Sequence, residues 1–338
     1  NSMKKNKFLF CIGLLLTVAT IVNAQSVTWI SSTEGNVWQK SKVKLQSKSE
    51  QNPVLQVDGT ENGVAFKNWG TTFNELCWDA LGLLTRTEQD EILYNIFSPQ
   101  GDLRITRGRI SMGANDYARS WYSCDEVEGD FELRYFNINR DKQTIIPFIR
   151  AAQKYNPNLT FWISPWCPPS WMKINGDYPV LSSPFNSLSE KQNYLLYGAT
   201  GGQVDENEMK LTGARDGVFP RQLATTDFMI QDPRYLQTYA DYFCRFIDAY
   251  KEQGIPIDMV MYQNEAYSYN KEYLAPTLRQ MHPEVKLYLG TFNTNRQDHV
   301  ETILADTALC NCIRGMGFQW EGREILPSIR KQHPEWEY

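Results

Sequence analysis

Glu265 is the residue whose setting best suits chemistry. It follows an apolar run, 257–262, and is preceded by Gln263 and Asn264. A carboxyl group so placed can give a proton to a leaving oxygen and later take one from water. An amide beside it can hold a sugar 2-hydroxyl, whose hydrogen bond strengthens in the transition state. The plain alternative is a surface-loop glutamate. Other carboxylates, amides and indoles stand just past further apolar runs: Asn74 and Glu75, Asp116, Trp166, and Gln319-Trp320-Glu321. Glycoside hydrolysis needs two carboxylates flanking the scissile bond, groups that hydrogen-bond the hydroxyls, and a stacking surface. The inventory fits, while spacing alone leaves unrelated surface side chains as an alternative.

For these residues to meet, the elements before them must deliver them to one face. Strands are expected over 65–73, 103–111, 159–164, 257–262, 285–289 and 315–320. Helices are expected between them: one from Thr85 or Thr87 onward, then about 140–155, 232–254, 272–281, 298–308 and 323–332. Thr85 followed by Glu88 fits a capping box. Asp232 caps the 232–254 helix, Pro233 takes its first position and Gly254 closes it. Alternating strands and helices predict a parallel sheet, with six units and the start of a seventh. A parallel barrel presents its chemistry at the carboxyl ends of its strands, where every candidate above falls. Residues 26–66 read as β-rich, with short strands at 27–30 and 43–45 and turns at Pro53, Asp58-Gly59 and Asn62-Gly63. The polar stretch 180–226 is too long for an ordinary connection and reads as an active-site loop. Its acidic run Asp205-Glu206-Asn207-Glu208 lacks EF-hand spacing and reads as a solvated face.

Composition bounds the partners. The 338 residues carry a net charge of −5, which argues against nucleic acid, because phosphate binding needs a basic footprint. The 10 Trp, 18 Tyr and 16 Phe could stack on sugars, but aromatics more often fill cores. Lys4, Lys5 and Lys7 precede an apolar run, 8–22, and Val22-Asn23-Ala24 offers a cleavage site before Gln25. Residues 1–24 therefore read as leading residues plus a secretory signal peptide, giving a secreted, periplasmic or outer-surface protein with no transmembrane segment after signal removal. Cys77, Cys124, Cys167, Cys244, Cys310 and Cys312 show no metal-ligand spacing, so no metal site is expected. Export would permit disulfides, with buried thiols as the alternative.

Residues 65–338 resemble glycoside hydrolase family 30, which includes glucosylceramidases and β-1,6-glucanases. The most specific run is Ile163-Ser164-Pro165-Trp166-Cys167-Pro168-Pro169-Ser170-Trp171-Met172-Lys173-Ile174-Asn175-Gly176. Asp116-Tyr117 through Phe131, Phe136-Asn137-Ile138 and Asp141 form a second match, and Gln263-Asn264-Glu265 a third. The resemblance implies a (β/α)8 TIM barrel with an attached β-sandwich side domain. Residues 25–64 would then be N-terminal strands of the sandwich and 65–338 an incomplete catalytic barrel. It implies Glu265 as general acid/base and Asn264 as its neighbour on the sugar. Asp116 would bind sugar hydroxyls, and Trp166 would wall the same subsite. Arg109 would hold the catalytic carboxylates ionised and oriented, with a structural barrel ion pair as the equal alternative. Trp320 keeps the family's strand-six indole, but Gln319 and Glu321 replace its usual His and Tyr.

The family's nucleophile, a glutamate at the end of strand seven, has no match in this chain. Glu335 and Glu337 fall too early in that strand, so the 338-residue chain itself is expected to be inactive. The implied function is a retaining β-glycoside hydrolase acting on a β-glucan or other β-glucoside, β-1,6-glucan being favoured. The alternatives are a glucosylceramidase acting on lipid glucosides and a carbohydrate-binding fragment without turnover. No cofactor is implied, and a monomer is expected.

Overall fold

The computed structural model describes residues 26–44, 66–173, 176, 178, 229, 230, 232–262, 272–293, 295 and 297–338. The signal-peptide region, the 53–63 turns, the acidic run at 205–208 and Gln263-Asn264-Glu265 lie outside them. The chain divides into two compact units between residues 65 and 66.

In the first unit, β1 (Ser26–Thr33) and β2 (Asn36–Lys44) form an antiparallel hairpin, Ser26 pairing with Lys44 and Thr33 with Asn36. The two short strands expected at its ends are thus one continuous pair. The turn falls at Glu34-Gly35, where Gly35 takes a φ of 76° that a side chain would oppose.

The second unit holds six parallel strands in chain order: β3 (Gly70–Phe73), β4 (Arg107–Met112), β5 (Thr160–Pro165), β6 (Ile257–Met261), β7 (Lys286–Phe292) and β8 (Gly315–Phe318). Unbroken order with helical crossovers is the topology of consecutive strands in a (β/α)8 barrel. The crossovers contain α1 (Glu75–Gly82), α2 (Arg86–Phe97), α3 (Ile145–Gln153), α4 (Pro233–Glu252), α5 (Leu274–Met281), α6 (Gln297–Leu304) and α7 (Thr307–Cys310), and α8 (Leu326–Gln332) follows β8.

Local signals set the helix ends. Thr85 and Glu88 form the expected capping box, each bonding the other's backbone N–H. Asp232 accepts from Arg234 N at the start of α4, with Pro233 in the first turn and Gly254 at φ 73° beyond the end. Tyr239, Tyr242, Phe243, Phe246, Ile247 and Tyr250 line one buried stripe of that helix. Three expectations are corrected. β3 begins at Gly70 rather than at 65. α1 starts directly after it, because Asn74 caps a new helix by accepting from Cys77 N. The single helix expected over 298–308 is two, since Asp306 caps a second start by accepting from Leu309 N.

Alternation gives each strand two faces. Phe73, Ile110, Met112, Phe161, Ile163 and Val260 are fully buried in the core, together with Phe97, Phe148 and Phe246 from the helices. Gly108 shares the helix-facing side of β4 and has no room for a side chain, because a Cβ would lie 2.5 Å from the Phe73 ring. The alternate residues face the other way. At the amino end of the sheet they form ion pairs: Arg107 with Asp258 at 2.5 Å, and Lys67, Lys286 and Arg314 around Glu337. The Tyr288 hydroxyl also donates to Glu337, whose pKa it and the cations depress to about 2. Glu337 forms a parallel bridge with Gly315, which begins a seventh strand at the end of the sheet opposite the candidate site.

Gly315 makes that bridge possible. A Cβ there would stand 1.9 Å from Glu337 O. Gly315→Ala should therefore lower unfolding stability by about 1–3 kcal/mol through forced backbone displacement. An unchanged denaturation midpoint would show that the seventh-strand pairing is not tight.

Candidate active site

β4 and β5 pair with Arg109 beside Trp162, Ser111 beside Ser164, and Met112 beside Pro165. The first four side chains lie on the face opposite the helix-facing core. Arg109 Nε donates to Ser164 Oγ at 2.9 Å. Its guanidinium carbon lies 4.9 Å from the Trp162 ring centroid and 5.0 Å from that of Trp166. Each such contact is worth about 0.5–1 kcal/mol when exposed and more when water is excluded. The guanidinium is thus fixed by a serine and two indoles at the carboxyl end of the sheet. One layer below, Arg107 pairs with Asp258.

Trp166 follows β5 and is half-buried. Its Nε1 is buried without a hydrogen-bond partner among the described residues, as is Ser111 Oγ. An indole N–H can only donate, so it calls for an acceptor on whatever fills the site. Gly113, at φ 82°, brings the loop after β4 against the loop after β5, since a Cβ there would lie 2.6 Å from Cys167 O.

Asp116 stands on the loop after β4 with an exposed carboxylate. Leu76 N donates to Tyr117 O at 3.0 Å, and Tyr117 N to Asn115 Oδ1 at 2.9 Å, which fixes the backbone on either side of it. Trp320 follows β8 and is 74% exposed. The strand expected to reach 320 ends at Phe318, and Trp320–Glu324 form a 3-10 turn. Trp320 has a φ of 49°, a left-handed conformation that costs a side chain about 1–2 kcal/mol. The turn is held against β7 by Gln319 N donating to Phe292 O at 2.8 Å. Gly322 allows that approach, because a Cβ would meet Phe292 O at 2.1 Å. Arg109 and Trp166 are therefore in contact, and Asp116 and Trp320 stand on loops at the same end of the sheet. Glu265 and Asn264 lie outside the described residues. The strand that leads to them, β6, is in place, and Tyr262 N donates to Tyr288 O at 3.1 Å just beyond it.

Two strand-end residues counted among the converging groups have other duties. Asn74 caps α1. Glu75 is buried and accepts from Arg140 Nε and Nη2 at 2.8 and 2.6 Å, from Arg119 N at 2.8 Å and from Thr144 Oγ1 at 3.4 Å. Burial pushes its pKa up, but Arg140 and the Arg119 N–H together bring it below the ordinary value. Asp141 beneath it accepts from Tyr122 and Tyr250 hydroxyls at 3.0 and 2.6 Å, and burial raises its pKa to about 6. Tyr242 Oη accepts from Cys124 N at 2.9 Å, and Trp171 Nε1 donates to Asp125 O at 3.1 Å. These buried bonds tie down the loop that carries Asp116. The six cysteines after residue 24 carry no disulfide.

Sequence reasoning missed Trp162, Ser164 and Ser111. Their signal was the period-two alternation Arg109/Ser111 and Trp162/Ser164, which has meaning only once the register is known.

Removing Glu75 strands the Arg140 guanidinium. Glu75→Ala should cost about 3–5 kcal/mol at pH 7. Because the folded-state pKa of Glu75 is depressed, its contribution is present above the ordinary carboxylate range and lost as pH falls through the folded pKa. The deficit of the variant should shrink in acid. Equal deficits at pH 3 and pH 7, in denaturation curves, would contradict the ion-pair account.

Comparison with known proteins adds the following. Residues 66–183 match the glycosyl hydrolase family 30 TIM-barrel domain. A Caenorhabditis elegans protein provisionally named glucosylceramidase 4 is 27% identical over 73% of this chain and 40% of its own length. Endo-1,6-beta-D-glucanase neg1 of Aspergillus fumigatus is 24% identical over 76% of this chain and 50% of its own length. The chain spans about half the length of the curated relatives it matches. The solved structure of the endo-beta1,6-glucanase BT3312 superimposes with a TM-score of 0.66 at 22% identity, over 92% of this chain and 64% of that one. This likeness shows the barrel fold.

Proposed function

We propose, from the match of residues 66–183 to the glycosyl hydrolase family 30 TIM-barrel domain and the likeness to its relatives, that this chain belongs to a retaining β-glycoside hydrolase whose favoured substrate is β-1,6-glucan. The observation that carries the reading is Arg109 fixed between Trp162 and Trp166, with a buried indole N–H left for a ligand. Glu265, a few residues beyond β6 in the sequence, protonates the leaving oxygen and afterwards takes a proton from water. Asn264 holds the 2-hydroxyl of the sugar. Asp116 accepts from further ring hydroxyls, and Trp166 walls the ring and donates its Nε1–H to it. The charge of Arg109 favours the ionised form of the carboxylate that attacks the sugar. Trp320 offers an exposed indole on which a further sugar can stack.

A β-1,6-glucan is favoured by the names of the fungal relatives and of the superimposed glucanase. A lipid glucoside is the second reading, supported by the relatives named as glucosylceramidases. Residues 1–24 would direct export, and residues 26–44 would open a sandwich side domain. Among the described residues no helix is long and apolar enough to cross a membrane.

A substrate panel on the full-length protein decides linkage. β-1,6-Glucan should be cleaved faster than β-1,3-glucan, xylan or glucosylceramide, and preference for glucosylceramide would favour the second reading. In the same protein Glu265→Gln should lower turnover of unactivated glycosides by about 10²–10⁴-fold, the usual worth of acid/base assistance. Aryl glucosides with good leaving groups need less protonation and should lose less in their first step. Unchanged turnover on the unactivated glycosides would remove Glu265 from the role.

A further inference from the structure

Four buried side-chain polar atoms lack a hydrogen-bond partner among the described residues: Ser111 Oγ, Asp125 Oδ2, Trp166 Nε1 and His282 Nε2. His282 follows α5, its nearest carboxylates being Asp248 and Glu284. Asp125 lies in the loop after β4 and interacts with Asp130. Trp166 is already part of the proposed sugar site. Ser111 is the unexplained one.

Ser111 lies on β4, two residues beyond Arg109, so both side chains leave the strand on the same face. It stands in register beside Ser164, whose oxygen is occupied by Arg109 Nε. Ser111 is 5% exposed, so bulk water does not serve it. A buried hydroxyl without a partner costs about 1–3 kcal/mol. Alanine would fill the same backbone position without that cost. The hydroxyl is therefore poised for a group that arrives later, in the layer where Arg109 meets both indoles. A hydroxyl both donates and accepts. Arg109 already supplies the positive charge, so the complement Ser111 adds is a neutral one.

We propose that Ser111 is a specificity-determining residue: its Oγ exchanges a hydrogen bond with one ring hydroxyl of a β-glucoside bound at the carboxyl end of the sheet. This rests on the sugar-site reading above. A site built to bond a substrate hydroxyl rejects the analogue that lacks it, because its own polar group is then left unpaired.

The test is a binding cycle on the purified full-length protein carrying Glu265→Gln, which slows hydrolysis during titration and serves as the wild-type reference at position 111. Gentiotriose, a β-1,6-linked glucose trimer, and its monodeoxy analogues are titrated by calorimetry into the wild type, Ser111→Ala and Ser111→Thr. The wild type should bind one monodeoxy analogue about tenfold more weakly than the parent, equivalent to about 1.4 kcal/mol. Ser111→Ala should bind the parent about tenfold more weakly and show no further loss with that analogue. Ser111→Thr, which keeps the hydroxyl, should restore the discrimination. Ser111→Ala should melt at the same or a higher temperature, because it deletes an unpaired group. A structural hydroxyl would instead lower the melting temperature and leave binding unchanged, which overturns the proposal. So do deoxy penalties that persist in Ser111→Ala. Failure of the wild type to bind any β-glucoside overturns the sugar-site reading and this inference together. Binding without coupling to Ser111 overturns this inference alone.

Discussion

The parallel register of β4 against β5 carries the site. It sets Arg109 beside Trp162 and Ser111 beside Ser164. A slip of one residue would turn the guanidinium into the helix-facing core among Phe73, Phe97 and Phe161. That core holds the register. Gly108 admits the Phe73 and Phe161 rings, and Ile110 and Ile163 are fully buried on either side of the pairing. Packing on one face thus specifies polar geometry on the other, because the side-chain period along a strand is two.

The charges divide by height along the sheet. At the amino end, Arg107 pairs with Asp258 and three cations surround Glu337. At the carboxyl end, Glu75 and Asp141 are buried beneath the loop after β4, each with its own donors. Buried pairs of this kind add little net stability but are costly to break, so they specify one loop conformation. Above them Asp116, Trp166 and Ser111 retain bonding capacity. Trp320 is held out by a left-handed backbone. Conformational cost at a strand end, where ligands bind in barrels, is a reasonable mark of function.

Local grammar was legible in the sequence. Thr85 with Glu88, and Asp232-Pro233 with Gly254, announced helix ends because caps act within a few residues. The strand-helix alternation gave the sheet. The start of α1 was missed, since Asn74 reads equally as a site amide and as a cap. Glu75 was misplaced for a similar reason: its partner Arg140 is 65 positions away, and only the fold brings them together. Trp162 and Ser111 were silent because their meaning depends on which face of a strand is the interior. The family resemblance pointed to Arg109, Asp116 and Trp166, and the geometry gives the first and third a shared contact.

The central claim is that these strand ends serve a two-carboxylate displacement with retention, Glu265 acting as acid and then as base. Proton NMR of the first product released from β-1,6-glucan by the full-length protein tests it most directly. The account predicts that the β-anomer of the new reducing end appears first and mutarotates to the α-anomer later. Initial appearance of the α-anomer would mean single displacement by water and would contradict the mechanism.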